Sequence, residues 1–145
     1  MPAWVNTAVD DYSSRMPAEF ALQWKEVKAE VRGSSGTSAQ WMAKEAQKIT
    51  EHIPQPCHRV LLDEKGKDLT TAQLSVRLSV WRDQALPVAI LIGGPDSIAP
   101  ELKQTAHESI RLSSLTLPHP MVRVLLAEQL YRAWSILANH PYHRA

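Results

Sequence analysis

Residues 112–119 read Leu-Ser-Ser-Leu-Thr-Leu-Pro-His, an apolar stretch interrupted by hydroxyl side chains and followed by Pro120. Leu112, Leu115 and Leu117 can form an apolar wall for a flat ring such as adenine. Ser113, Ser114 and Thr116 keep the backbone between them polar, with N–H and C=O groups to read the ring's edge. The alternative is an ordinary connection from a strand to the last helix. Two apolar runs end in residues of similar promise, Leu62-Asp63 and Ile92-Gly93-Gly94-Pro95. Ligands of open α/β sheets bind beyond the carboxyl ends of strands, and glycine lets a ligand approach the backbone closely. Gly93 and Gly94 equally suit a plain tight turn. The motif is not GxGxxG, and no P-loop lysine follows it.

The charged candidates lie further along. Arg123 falls near the start of the last helix, where the macrodipole gives a cation no benefit. That placement favours a functional reason for it. Glu128 and Arg132 are four apart, which reads either as a helix-surface ion pair or as part of a site. The tail, Asn-His-Pro-Tyr-His-Arg-Ala, gathers His140, Tyr142, His143 and Arg144. Aromatic, imidazole and guanidinium groups together suit stacking on a base and gripping phosphate. A polar, frayed terminus is the other reading. Cys57 is the single cysteine and adjoins His58, with no second thiol to suggest a disulfide or a metal.

These groups must be positioned by regular elements. Helical spacing of Trp4, Val5, Ala8, Val9 and Tyr12 predicts a helix over 2–15. Phe20, Leu22 and Trp24 alternate with polar residues, as in a half-buried strand. A Gly/Ser-rich loop at 32–38 precedes a helix at 39–52, stopped by Pro54. Val60, Leu61 and Leu62 read as a short buried strand, with 64–68 a turn around Gly66. Thr70 and Gln73 form a capping box for a helix bearing Leu74, Leu78 and Trp81. Residues 87–92 read as an apolar strand, and 93–96 as a turn. Residues 100–109 read as a helix and 110–117 as a broken strand. The helix at 121–138 is apolar over most of its circumference, so it must pack against more than one surface. Strands alternating with helices indicate an α/β fold with a mostly parallel sheet.

At 145 residues, with 44% hydrophobic and 21% charged, the chain suits one globular domain spanning 1–145. The longest apolar runs are too short for a bilayer, and no basic segment followed by an apolar run opens the chain. Together with the lone cysteine, this predicts a cytoplasmic protein. The net charge of +1 does not advertise a nucleic-acid binder. Any RNA surface must therefore be local or built by oligomerisation.

Taken in order, Ile90-Leu91-Ile92-Gly93-Gly94-Pro95, the 112–119 loop, residues 123–133 and the 139–144 tail resemble the ribosomal RNA large subunit methyltransferase H family of the SPOUT superfamily. The resemblance covers nearly the whole chain. It implies an α/β-knot fold with helices on both faces of the sheet and a C-terminal trefoil knot, an exception to the unknotted-chain rule. It implies a homodimer, S-adenosylmethionine as cofactor, and methylation of N3 of a pseudouridine in the helix 69 loop of 23S rRNA, on the 70S ribosome. It implies cofactor contacts from Leu62, Gly93, Gly94 and the six residues Leu112, Ser113, Ser114, Leu115, Thr116 and Leu117. Family members usually begin with an apolar strand ahead of the segment matching residues 1–5. The expectation is therefore a sheet lacking its first strand.

Pseudouridine N3–H must lose its proton before nitrogen can attack a sulfonium methyl. His119, His143 and Glu128 are candidate bases, and Arg123 a candidate for stabilising the developing oxygen charge. Arg132, Tyr142, His143 and Arg144 are candidates for holding RNA. No metal and no membrane is expected. The rival reading is a non-catalytic RNA-binding module of the ribosome, which needs the tail and the arginines but not the glycine turn.

Overall fold

The structure is a computed structural model that describes residues 1–27, 36–93 and 98–144. Most of the predicted loop at 32–38 and of the turn at 93–96, including Gly94, lies outside the described residues.

Three strands form one parallel sheet in the order β2-β1-β3. They are β1 (His58–Asp68), β2 (Val88–Ile92) and β3 (Glu108–Arg111). Parallel strands must be joined by crossovers, and helices supply them. α3 (Thr71–Asp83) follows β1, and the short α4 (Pro100–Lys103) precedes β3. α1 (Ala3–Ser14) and α2 (Ser38–His52) come before the sheet, and α5 (His119–Leu137) after it.

Side chains alternate across a strand, and this sorts the apolar runs onto two faces. Val60, Leu62, Ile90, Ile92 and Ile110 point to a core shared with Leu74, Leu78 and Trp81 of α3 and Leu126, Leu130 and Ala133 of α5. Leu61, Ala89 and Leu91 point the other way, to Ala46 and Ile49 of α2 and to Ile98 and Leu102. Both faces are thus covered by helices, as a parallel sheet requires. α5 also packs on α1, where Ala127 meets Val5 and Val9. The expected double burial of this helix is met by α3 on one side and α1 on the other. The capping box of α3 forms as read. Gln73 N–H donates to Thr70 Oγ1 at 3.1 Å, and Thr70 N–H donates to Gln73 Oε1 at 2.9 Å. α2 starts with an equivalent pair, Thr37 and Gln40. No helix among the described residues is long and apolar enough to cross a membrane.

Four local expectations need correction. Residues 20–24 are not a strand. Ala18–Phe20 is a 3-10 turn, and the extended segment after it pairs with no strand among the described residues. Its alternation still predicts burial, because Phe20, Leu22 and Trp24 pack onto the α3/α5 core. Residues 64–68 are not a free turn: β1 continues to Asp68. Leu62 and Lys67 both lie opposite Ile110, so the residues between them bulge out of register. Residues 100–109 are helical only to Lys103, and Glu108 already belongs to β3. The predicted strand at 110–117 stops at Arg111, leaving 112–118 as a loop. In both segments the pattern was too short to separate a helix end from a strand start.

Gly66 makes the bulge possible. A Cβ built there would lie 2.5 to 2.7 Å from the Ile110 backbone atoms, nearer than real Cβ atoms come. Gly66→Ala should therefore force the two strands apart and cost about 1–3 kcal/mol, read as a lowered urea midpoint. A midpoint equal to the parent's would contradict this contact.

The amino ends of β1 and β3 are tied to α3 through Glu108. Its Oε1 accepts from Arg77 Nε at 2.7 Å, and its Oε2 accepts from Trp81 Nε1 at 2.7 Å and meets His58 Nε2. Burial pushes this carboxyl upward. The hydrogen bonds from Arg77, His58 and Trp81 outweigh it and hold the pKa at about 2. A carboxylate held below its unfolded value contributes stability above that value, and the contribution is lost as pH falls through the folded pKa. Stability should drop between the ordinary carboxyl value of 4.5 and about 2, and Glu108→Gln should flatten that part of the profile. Urea midpoints measured across this range for both proteins test the assignment.

Candidate active site

β2 and β3 reach their carboxyl ends on either side of the point where β1 leaves register after Leu62. In the register, Leu62 of β1 faces Ile92 of β2 on one side and Ile110 of β3 on the other. Gly93 directly follows Ile92, and Leu112 comes two residues after Ile110. The described cofactor candidates, far apart in sequence, are therefore brought to one edge of the sheet. Gly94 lies outside the described residues.

The loop after β3 is open. Leu115 is 74% exposed, unusual for a leucine this close to a core. Its N–H donates to Ser113 Oγ at 2.9 Å, which fixes a turn in the loop. Ser114 and Thr116 are exposed, while Leu112, Ser113 and Leu117 are half-buried. Beside the loop, Arg111 Nη2 pairs with Asp68 Oδ2 at 3.3 Å, but its Nε is buried without a partner. A shallow cavity lined by Thr71, Ile110, Arg111, Leu112 and Gln129 opens here. An exposed apolar side chain, a hydroxyl-rich loop and an unsatisfied donor suit a ligand with an aromatic ring and polar groups.

Asp63 carries a role that the sequence reading did not give it. Its Oδ1 accepts from Lys65 N–H at 3.2 Å, and its Oδ2 pairs with Lys103 Nζ of α4 at 3.3 Å. Burial pushes its carboxyl up, but the Lys65 N–H and the Lys103 ammonium hold it below its ordinary value. Asp63 thereby links the bulge after Leu62 to the helix that follows the Gly93 segment. Its position directly after an apolar run was the one available signal.

α5 begins where the loop ends. His119 is half-buried, and burial, reinforced by the Arg123 guanidinium, lowers its pKa below 6.5 despite an opposing pull from Glu26. The ring is therefore neutral at neutral pH and can accept a hydrogen bond or a proton. Arg123 lies one turn further, and its Nε is buried without a partner.

The remaining candidates form a separate group. Glu128 Oε1 accepts from Arg132 Nε at 2.7 Å and from the Tyr142 hydroxyl at 3.3 Å, and its Oε2 accepts from Gln129 Nε2 at 2.9 Å. The tail turn Pro141–Arg144 folds back on α5. Its Tyr142 ring packs against Tyr131 with centroids 4.5 Å apart, and His143 Nδ1 is buried without a partner. Arg144 is exposed. His119 and Glu128 are nine residues apart, about 14 Å along a helix axis at 1.5 Å per residue. The structure thus brings Leu62, Gly93 and Leu112 to one edge of the sheet, sets Arg111 and Leu112 beside Leu126 and Gln129 of α5, and puts His119 and Arg123 at the start of that helix. It groups Glu128, Arg132 and Tyr142 further along. No group of three or more His, Cys, Asp or Glu side chains among the described residues is placed to hold a metal ion.

A family described as "Predicted SPOUT methyltransferase" matches residues 1–143. A ribosomal RNA large subunit methyltransferase H of Bordetella avium (strain 197N) is 58% identical over 145 residues, covering 100% of this chain and 93% of the relative. The protein of that name from Bordetella petrii is 59% identical over 145 residues with the same coverage. That from Cupriavidus metallidurans is 53% identical over 148 residues, again with 100% and 93% covered.

If Arg123 helps to lower the His119 pKa, Arg123→Gln should raise it toward the ordinary imidazole value of 6.5. An NMR titration of the imidazole signals reads this directly. A titration midpoint that does not move would remove Arg123 from the electrostatics of His119.

Proposed function

This chain belongs to the SPOUT methyltransferase family, and from that premise we propose that it transfers a methyl group from S-adenosylmethionine to N3 of a pseudouridine in the helix 69 loop of 23S rRNA. It acts on the 70S ribosome, in the cytoplasm, as a homodimer whose knotted C-terminal part holds the cofactor. The similarity to ribosomal RNA large subunit methyltransferases supports large-subunit ribosomal RNA as the target. The observation that carries the site is the register that sets Leu62 beside Ile92-Gly93 and Ile110, with the open 112–117 loop directly after.

Leu62, Gly93, Gly94 and the 112–117 loop hold the cofactor, with Leu112, Leu115 and Leu117 against the adenine. S-adenosylmethionine supplies an electrophilic methyl group on a sulfonium. The chain must present the base in line with it and take the N3 proton, and positioning supplies most of the gain. His119 is the preferred proton acceptor, because it is neutral at neutral pH and next to the cofactor loop. His143, with an unsatisfied Nδ1, is the second candidate. Arg123, with its unpartnered Nε, stabilises the negative charge that develops on the pyrimidine oxygen. Glu128 is less suited to take the proton, since both its oxygens already accept hydrogen bonds. Arg132, Tyr142 and Arg144 hold the RNA.

The distance along α5 bears on the dimer. The tail's Tyr142 docks at Glu128, about 14 Å along the axis from His119 in the same chain. The tail of a second copy would bring Tyr142, His143 and Arg144 to His119, and a two-fold axis would supply two such sites. Val122, Leu125 and Ile136 of α5 are left only half-buried, which suits a partner there.

Ribosomes lacking this modification, incubated with the protein and labelled S-adenosylmethionine, should gain one methyl group, which mass mapping places on N3 of the helix 69 pseudouridine. Label on another nucleotide, or none, would overturn the assignment. The dimer is tested by mixing two inactive variants, one lacking 141–145 and one carrying Gly93→Val. With free subunit exchange, activity should return to about a quarter of the parent's, since half the dimers carry one good site. A mixture that exchanges subunits but stays inactive would place each tail at its own chain's pocket.

A further inference from the structure

Backbone bonds tie the start of the tail to α5, where Asn139 N–H donates to the Ile136 carbonyl at 3.3 Å and His140 N–H to the Ser135 carbonyl at 2.8 Å. The Pro141–Arg144 turn that follows contains no buried residue, and the Tyr142 N–H donates to the His140 ring at 3.2 Å. What fixes Tyr142 is its side chain. Three tyrosines link α1, α5 and the tail. Tyr12 lies 6.3 Å from Tyr131 between ring centroids, and Tyr131 lies 4.5 Å from Tyr142. Arg15 caps this row, with its guanidinium 5.8 Å from the centroids of both Tyr12 and Tyr131. Arg132 sits 4.9 Å from the Tyr142 centroid. Tyr12 also packs against the cluster that contains Ala127, so it stands next to the turn of α5 that carries Glu128.

We propose that Tyr12 and Glu128 are positioning residues that seat the Tyr142 phenol, and so fix where the tail presents His143 and Arg144 to the RNA. The proposal rests on the reading that the tail takes part in methyl transfer. Glu128 is the centre of the seat. One oxygen receives both the Arg132 guanidinium and the Tyr142 hydroxyl, so a single carboxylate sets the relative position of two groups proposed to hold RNA. As an exposed ion pair four residues apart it would matter little. Here the Glu128 side chain is only 14% exposed, and a hydrogen bond to a shielded charge is stronger. Tyr12 supplies the second point of the seat. Burial, then the hydrogen bond with Tyr12, then the charge of Glu128 all keep the proton on Tyr142, so its pKa is raised. Tyr142 therefore stays a neutral donor throughout the physiological range. Both Glu128 oxygens are already engaged by Arg132, Tyr142 and Gln129, and Tyr12 is engaged in the tyrosine row, so neither positioning residue is left to hold the cofactor.

The test uses the full chain with Tyr12→Phe and Glu128→Gln, which remove one oxygen and one charge and keep the side-chain size. Three quantities are compared with the parent: affinity for S-adenosylmethionine by calorimetry, kcat and KM with ribosomes, and amide hydrogen exchange over 140–144. Cofactor affinity should stay within about twofold, tail exchange should quicken about tenfold or more, and kcat should fall about tenfold in Glu128→Gln and less in Tyr12→Phe. Tail exchange unchanged in both variants would overturn the seat. Faster exchange with unchanged kcat would overturn its role in the reaction. If the parent itself transfers no methyl group, the function proposed above fails, while tail exchange still decides whether Tyr12 and Glu128 hold Tyr142.

Discussion

The parallel pairing of β1 with both of its neighbours governs the rest of the structure. Leu62 has Ile92 on one side and Ile110 on the other, so β2 and β3 reach their carboxyl ends at the level where β1 leaves register. Parallel pairing allows this only because helices carry the chain back between strands. Each helix then finds an apolar face prepared by strand alternation, Val60 and Leu62 toward α3 and α5, Leu61 toward α2 and α4. A slip of one residue in β1 would turn Val60 and Leu61 to the wrong faces and draw the three ends out of line. The bulge after Leu62, with Gly66 pressed against Ile110, lets β1 rejoin β3 at Lys67 and Asp68.

Charge is arranged locally. A net charge of +1 gives little long-range attraction to RNA. Arg77 is committed to Glu108 at the far end of the sheet, and Lys103 to Asp63. Arg132 pairs with Glu128 but keeps a face over Tyr142. Arg123 keeps an unsatisfied Nε in the first turns of α5, and Arg144 stays exposed on the tail.

Much of this was legible in the sequence where the determinant is local. Thr70-x-x-Gln73 announced the start of α3, and the runs at 60–62 and 88–92 announced two strands. Gly93 and the hydroxyl-rich loop follow strands that the fold ends at one edge of the sheet, with β1 between them. Long-range determinants were not legible. Glu108 read as the end of a helix, because the groups that make it a hub, His58, Arg77 and Trp81, are 50, 31 and 27 residues away. The Gly66 contact with Ile110 exists only once β1 and β3 pair, and nothing in Glu64-Lys65-Gly66-Lys67 separates it from an ordinary turn. Tyr12 gave no functional signal, since a tyrosine on the apolar stripe of a helix reads as core until the tail is seen to fold back on it.

The proposed function requires Leu62, Gly93 and the 112–117 loop to form one pocket for S-adenosylmethionine. Titration calorimetry of the folded chain with that cofactor tests it most directly, alongside a folded Gly93→Val variant whose branched side chain would occupy the approach to the backbone. Saturable binding near one cofactor per chain, weakened about tenfold or more in Gly93→Val, is the predicted result. Absence of binding heat in the parent across a range of temperatures, or equal affinity in the two proteins, would contradict it.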